Sequence, residues 1–281
     1  MNNKLIYSCV FHNEGYLDLI DLLLKSYSQF GNVADKADYL IICSPKFKDA
    51  IQRFFNKLNI KGKIWVLNPV NKFEACYYRL KIFDYPDIDQ YDKILYLDTD
   101  LIICNDLNTI LDIDLKEVLY SYADDDKTIS DWGHGNIIFE ELNIDFNPKQ
   151  KAFSTAVLYF LNCKRIKKLF NDVIKNIHAI CPNSEYTLSG SYDQAGKACP
   201  NGEHHIEGSY DQDFIIFQCV IDELYDINTI NKYCQNNADK SSENLILNHF
   251  GSNIWRRQNG VITIPCGEPY GKMARMYNFY H

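Results

Sequence analysis

In Tyr91-Asp92-Lys93-Ile94-Leu95-Tyr96-Leu97-Asp98-Thr99-Asp100-Leu101-Ile102-Ile103, two carboxylates stand one residue apart between two apolar runs. A strand ending in Asp-x-Asp presents both acids at its terminus in buried surroundings, where like charges repel strongly unless a cation lies between them. Hard oxygen donors of this kind suit Mg2+ or Mn2+, and such an ion can clamp a diphosphate. The plainer alternative is a turn with two exposed aspartates, and the flanking apolar residues argue against it. A second run, Asn244-Leu245-Ile246-Leu247-Asn248-His249-Phe250-Gly251, delivers a histidine after strand-like residues. Imidazole completing a carboxylate site favours Mn2+ over Mg2+, although a lone histidine in this position is often structural. In the third, Tyr210-Asp211-Gln212-Asp213, an acid leads into an apolar helix, where Asp211 or Asp213 serves equally well as an ordinary N-cap.

Apolar periodicity gives the elements that must position these residues. Strands are expected over Lys4–Val10, Tyr39–Cys43, Lys63–Leu67 and Lys93–Leu97, alternating with helices over Leu17–Tyr27, Phe47–Leu58 and Phe73–Phe83. This βαβαβαβ order predicts an α/β fold with a mainly parallel sheet and helices on both faces, its ligands beyond the carboxyl ends of the strands. Further on, strands are expected over Glu117–Ala123, Phe153–Phe160 and Glu243–Phe250, and helices over Arg165–His178 and Phe214–Leu224. Between them, 181–208 is rich in Pro, Gly, Ser and His and reads as an irregular insertion in a single domain spanning 1–281. Gly190-Ser191-Tyr192-Asp193-Gln194 recurs as Gly208-Ser209-Tyr210-Asp211-Gln212, too short to define a structural repeat.

Composition bounds the remainder. At 281 residues and 46% hydrophobic content, one sizeable core is affordable. A net charge of −8 without a basic run argues against a nucleic-acid partner. No apolar stretch reaches the roughly 18 residues of a membrane span, and no signal peptide is visible, so a soluble, cytoplasmic protein is expected. The ten cysteines are scattered without a CxxC pair and read as reduced core residues; Cys181 and Cys199 alone leave room for a bridge or a metal.

The three acidic and histidine motifs, in this order, resemble the retaining glycosyltransferase family 8, over most of the chain. The resemblance implies a GT-A type Rossmann-like fold, Mn2+ (with Mg2+ as the alternative) and a UDP-sugar, UDP-glucose or UDP-galactose, as donor. It also implies transfer of a hexose to the hydroxyl of a glycan, lipid or protein acceptor, with a homodimer left open. By the same resemblance Asp98, Asp100 and His249 hold the metal, and Asp211 and Gln212 lie beside the anomeric carbon. Donor contacts fall to Asn13 and Tyr16 in His12-Asn13-Glu14-Gly15-Tyr16, Arg79 in Tyr77-Tyr78-Arg79-Leu80-Lys81, Asp98, Thr99, Asp125 and Gly251. Two departures stand out. Phe153-Ser154-Thr155-Ala156-Val157 has Ser154 where the family carries an amide, and the segment after His249-Phe250-Gly251 lacks the family's phosphate-binding lysine, leaving Arg256 or Arg257 to replace it. These departures keep a degenerate, non-catalytic sugar-nucleotide-binding module as a rival. A haloacid dehalogenase-type phosphatase, which also ends a strand in Asp-x-Asp, is disfavoured by the motif's late position and by Ile102.

Overall fold

Side chains alternate between two faces along the central strands, and this alternation fixes the layers. In β1 (Lys4–Val10), Leu5 and Tyr7 join one buried cluster while Ile6 and Val10 join another. The computed structural model describes residues 3–131, 134–180, 211–250, 257–258, 261–262 and 269–281. After β1 come α1 (Gly15–Phe30), β2 (Asp38–Cys43), α2 (Lys48–Leu58), β3 (Gly62–Val66), α3 (Lys72–Tyr77), β4 (Lys93–Leu97), β5 (Leu101–Ile103) and the short α4 (Asn108–Leu111). Next are β6 (Leu119–Thr128), α5 (Asn136–Glu141), β7 (Lys151–Leu161) and α6 (Lys164–Ile180). The chain continues with α7 (Asp211–Ile221), β8 (Tyr225–Asp226), β9 (Cys234–Asn236), β10 (Leu247–His249), β11 (Arg257–Gln258), β12 (Val261–Ile262) and α8 (Pro269–Tyr280).

Seven strands form one sheet in the order β3-β2-β1-β4-β7-β6-β8. The first four run parallel, β7 is antiparallel to β4 and β6, and β8 is parallel to β6. Ile20, Leu23 and Leu24 of α1 and Ile51 and Phe55 of α2 cover one face. Ile166, Leu169, Phe170 and Val173 of α6 and Phe214–Phe217 of α7 cover the other, so helices flank both faces as expected. Each fully buried Phe or Leu in these layers contributes roughly 1.5–3 kcal/mol through area removed from water. A second sheet, β5-β10-β9, stands apart from the first, its β10 antiparallel to β5 and parallel to β9.

Several boundaries differ from expectation. The helix expected to reach Phe83 ends as α-helix at Tyr77 and continues as a 3₁₀ segment, Tyr78–Asp84. With three residues per turn, side chains three apart eclipse, so Leu80 with Phe83 and Arg79 with Ile82 form two stripes, both buried. Strand β6 runs past Ala123 through the acids to Thr128, and the late strand shrinks to three residues because a turn joins the Leu245 amide to the Ser242 carbonyl. Helix α7 includes Asp211 and Gln212 in its first turn instead of starting at Phe214. The cysteines among the described residues are free thiols, whereas Cys181, Cys199 and the whole 181–208 insertion lie outside them. No helix among the described residues is long and apolar enough to cross a membrane.

Candidate metal and donor site

Backbone pairing assembles the acidic pair and the histidine. Beyond the end of β4, the Asp98 amide still donates to the Ala156 carbonyl (2.8 Å), which holds Asp98 against β7. Two residues later β5 begins and pairs with β10 so that Leu101 faces His249, and the Phe250 amide donates to the Asp100 carbonyl (2.9 Å). His249 is thereby delivered to the acids, its Nε2 lying 3.4 Å from Asp100 Oδ1. One ligand atom from each of Asp98, Asp100 and His249 falls within 4.8 Å of the other two. Ligands sharing an ion at bond lengths of about 2.0–2.6 Å sit at such separations, so the donor set fits a divalent cation. Burial pushes the Asp98 carboxyl above the usual range, Arg79 opposes the rise and Asp100 adds to it. Tyr96, beneath the pair, donates its hydroxyl to Asp98 Oδ1 (2.5 Å).

Beside the acids lies a buried ion pair. Arg79 Nε donates to Asp211 Oδ2, and the two side chains are each only 6% exposed. The remaining guanidinium nitrogens donate to the Thr155 carbonyl (2.7 Å) and Thr155 Oγ1 (2.9 Å), with Nη1 3.9 Å from Asp98 Oδ2. The group also lies over the Tyr96 ring, 4.9 Å from its centroid. Gln212 Oε1 accepts from the Thr155 amide and hydroxyl, both at 3.2 Å. Burial raises the Asp211 carboxyl, while Arg79 and the backbone N–H groups of Asp211 and Gln212 oppose the rise. Asp211 is thus both a helix-start acceptor and the partner of Arg79.

The outer positions fall around this centre. Asn13, exposed, accepts from the Gly15 amide (2.9 Å) in the loop after β1, and Tyr16 is half-buried at the start of α1. Thr99 is buried between the two acids. Ser154 is buried, its Oγ 3.3 Å from the Ala156 amide. Asp125 is exposed with φ +48°, and partial desolvation of its carboxyl together with the neighbouring Asp124 charge raises it above the usual range. Gly251 and Arg256 lie outside the described residues, as do Asp193 and Gln194; Arg257 is described only as backbone in β11, paired with Ile262.

Sequence reasoning missed several participants. Thr155 ties Arg79 to Gln212. His249 Nδ1 lies 2.9 Å from Asn236 Oδ1 and 3.0 Å from the Tyr122 hydroxyl, which itself donates to Asn236 Oδ1 (2.9 Å). Asn236 Nδ2 donates to Asp124 Oδ1 (2.7 Å), and Asp124 Oδ2 is 2.8 Å from Nε2 of buried His134. No local pattern in the sequence marks Asn236 or Asp124 as partners of His249.

The sequence profile described as "Glycosyl transferase family 8" matches residues 8–186. Glycogenin from Komagataella phaffii is 28% identical over 134 residues, an alignment spanning 42% of this chain and 31% of that protein; the chain thus spans about a third of the curated relative it matches. Among solved structures, the galactosyltransferase LgtC in complex with donor and acceptor sugar analogs is similar at TM-score 0.57 and 13% identity, with 98% of this chain and 96% of that one covered. Mouse xyloside xylosyltransferase 1, apo form, gives 0.54 and 12%, covering 90% and 99%. The WbbM bifunctional glycosyltransferase, apo, gives 0.57 and 13%, covering 98% of this chain and 50% of that one. These likenesses establish a GT-A type fold.

Proposed function

Because this chain belongs to glycosyltransferase family 8, we propose that it is a Mn2+-dependent retaining transferase, moving a hexose from a UDP-sugar to an acceptor hydroxyl within a single 1–281 domain. The observation that carries the reading is the convergence of the Asp98, Asp100 and His249 ligand atoms beside the buried Arg79–Asp211 pair. Asp98, Asp100 and His249 would hold the ion, whose chemistry is to offset charge on the leaving diphosphate.

The rest of the work belongs to side chains. Arg79, held over Tyr96, keeps fixed positive charge 3.9 Å from Asp98 and so near the diphosphate, where preorganised charge favours departure of the leaving group. Asp211 and Gln212 face the anomeric carbon from the start of α7, with Thr155 fixing the Gln212 amide. Asp125 and Ser154 stand on the sugar side, Asn13 and Tyr16 on the nucleoside side, and Thr99, Gly251 and Arg256 or Arg257 by the phosphates. The acceptor is a glycan, lipid or protein hydroxyl fixed near the anomeric carbon.

Asp100→Asn tests the reading. It should abolish Mn2+-dependent release of UDP from UDP-glucose or UDP-galactose and weaken Mn2+ binding while the circular dichroism spectrum is unchanged. Full turnover in that variant would refute the shared ion.

A further inference from the structure

Hydrogen-bond polarity can be propagated along the chain His134–Asp124–Asn236–His249, because only one assignment satisfies every member. Asp124 accepts at both carboxylate oxygens: Nε2 of His134 lies 2.8 Å from Oδ2, and against the raising effect of burial the His134 and Asn236 hydrogen bonds favour the carboxylate, which sits below the usual range. A carboxylate only accepts, so Asn236 must present its NH2 to Asp124 Oδ1 at 2.7 Å; the flipped amide would set two oxygens against each other. Asn236 Oδ1 then faces His249 and, as a carbonyl, only accepts. His249 Nδ1, 2.9 Å away, must carry its ring proton, and the Tyr122 hydroxyl supplies the second donor at 2.9 Å. In the neutral ring Nε2 is left as a lone pair, and this is the nitrogen 3.4 Å from Asp100 Oδ1.

From this geometry we infer that Asp124 and Asn236 are positioning residues that lock the neutral His249 ring in the Nδ1–H tautomer, leaving its Nε2 lone pair facing Asp98 and Asp100. The inference rests on the reading of Asp98, Asp100 and His249 as a metal site and adds the residues that prepare its histidine. Groups behind a ligating histidine commonly set its tautomer, ring orientation and basicity. Here they do more than orient. Asp124 lies on β6, and His134 immediately precedes Gly135, whose amide donates to Asp213 of α7. The histidine's orientation is therefore tied to the same helix turn that carries Asp211 and Gln212. Without the chain the ring is free to place a proton on Nε2, which would abolish its donor capacity toward a cation.

Two measurements test this. In the metal-free wild-type protein, 15N-resolved NMR of the histidine rings, taken where His249 is neutral, should show it protonated at Nδ1; protonation at Nε2 overturns the inference whatever the variants do. Mn2+ alone is then titrated into wild type, Asn236→Leu, Asp124→Leu and Asp124→Asn, with free Mn2+ read by electron paramagnetic resonance. The two leucine variants should bind about 10–100-fold more weakly. Asp124→Asn should stay near wild type, since its carbonyl still accepts from Asn236 and its NH2 can donate to a His134 of the other tautomer. Wild-type affinity in both leucine variants overturns the proposal. Equal loss in Asp124→Asn and Asp124→Leu does so too, by assigning the effect to charge instead of polarity. If wild type itself binds no Mn2+, the metal-site reading fails, and the tautomer measurement still decides the positioning role.

Discussion

Replacing Arg79 by Met keeps most of the side chain's bulk over Tyr96 and removes every donor it supplies. Asp211 loses its ion partner, and the Thr155 carbonyl and hydroxyl lose theirs. Both Arg79 and Asp211 are 6% exposed at the side chain, so solvent offers little screening. Breaking a buried pair by deleting one partner costs about 3–5 kcal/mol, and this is the deficit expected. The loss should depend on pH in a definite sense. Burial already raises the folded-state Asp211 carboxyl, and without Arg79 it rises further. A carboxyl raised by folding favours the folded state at low pH and penalises it as pH rises through the folded pKa. The deficit of Arg79→Met should therefore be largest at neutral pH and shrink toward acid. Urea unfolding at neutral pH and near pH 4, about the ordinary carboxylate pKa, measures this directly. The double variant Arg79→Met/Asp211→Asn should recover most of the stability, since no charge is left to desolvate. A deficit below about 1 kcal/mol, the scale of an exposed pair, or one that Asp211→Asn leaves unchanged, would refute the reasoning.

Tyr96→Phe removes the hydroxyl donated to Asp98 and should weaken Mn2+ binding about tenfold, the scale of one hydrogen bond to a charged group, by isothermal titration calorimetry; unchanged affinity would show that the tyrosine serves packing alone. Replacing Arg256 and Arg257 by Met, singly and together, should slow transfer about 10–100-fold in at least one single variant, measured as UDP release; wild-type kinetics in all three would leave the phosphates to Arg79. Gly62→Ala should lower stability by about 1–3 kcal/mol in thermal or urea unfolding without altering Mn2+ affinity, because an added Cβ would stand 2.2 Å from the buried Phe55 ring; a neutral effect would mean that the ring shifts freely.

Much of the fold was legible because its signal is local. The strand–helix alternation of the first hundred residues follows from apolar periodicity, and all four expected strands and the first two helices appear at nearly the expected bounds. The Asp98–Asp100 pair was legible for the same reason: adjacent residues at a strand end need no tertiary information. The partners of those residues were not. Thr155 becomes the anchor of Arg79 only because β7 runs antiparallel beside β4, and Asn236 reaches His249 only because β9 and β10 lie side by side. Such contacts join residues far apart in sequence through register, which a single sequence does not encode visibly. The 3₁₀ segment after Tyr77 was missed because the apolar residues Tyr78, Leu80, Ile82 and Phe83 are too few to separate a period of 3.0 from 3.6 over seven residues.

The three-stranded sheet sets an order of events for the life of the molecule. Asp98 and Asp100 lie close together in the chain, but more than half of its length separates them from His249, and the pairing of β10 with β5 closes that gap. A contact between residues so far apart in sequence forms only after a large chain-entropy cost is met, so this pairing is expected late in assembly and early in opening. A cation that needs all three donors then finds nothing to bind in the unfolded chain. It acts on escape from the native state, slowing unfolding while leaving the rate of approach unchanged. An ion held by these three residues would serve as a late-fitted latch on the closed chain.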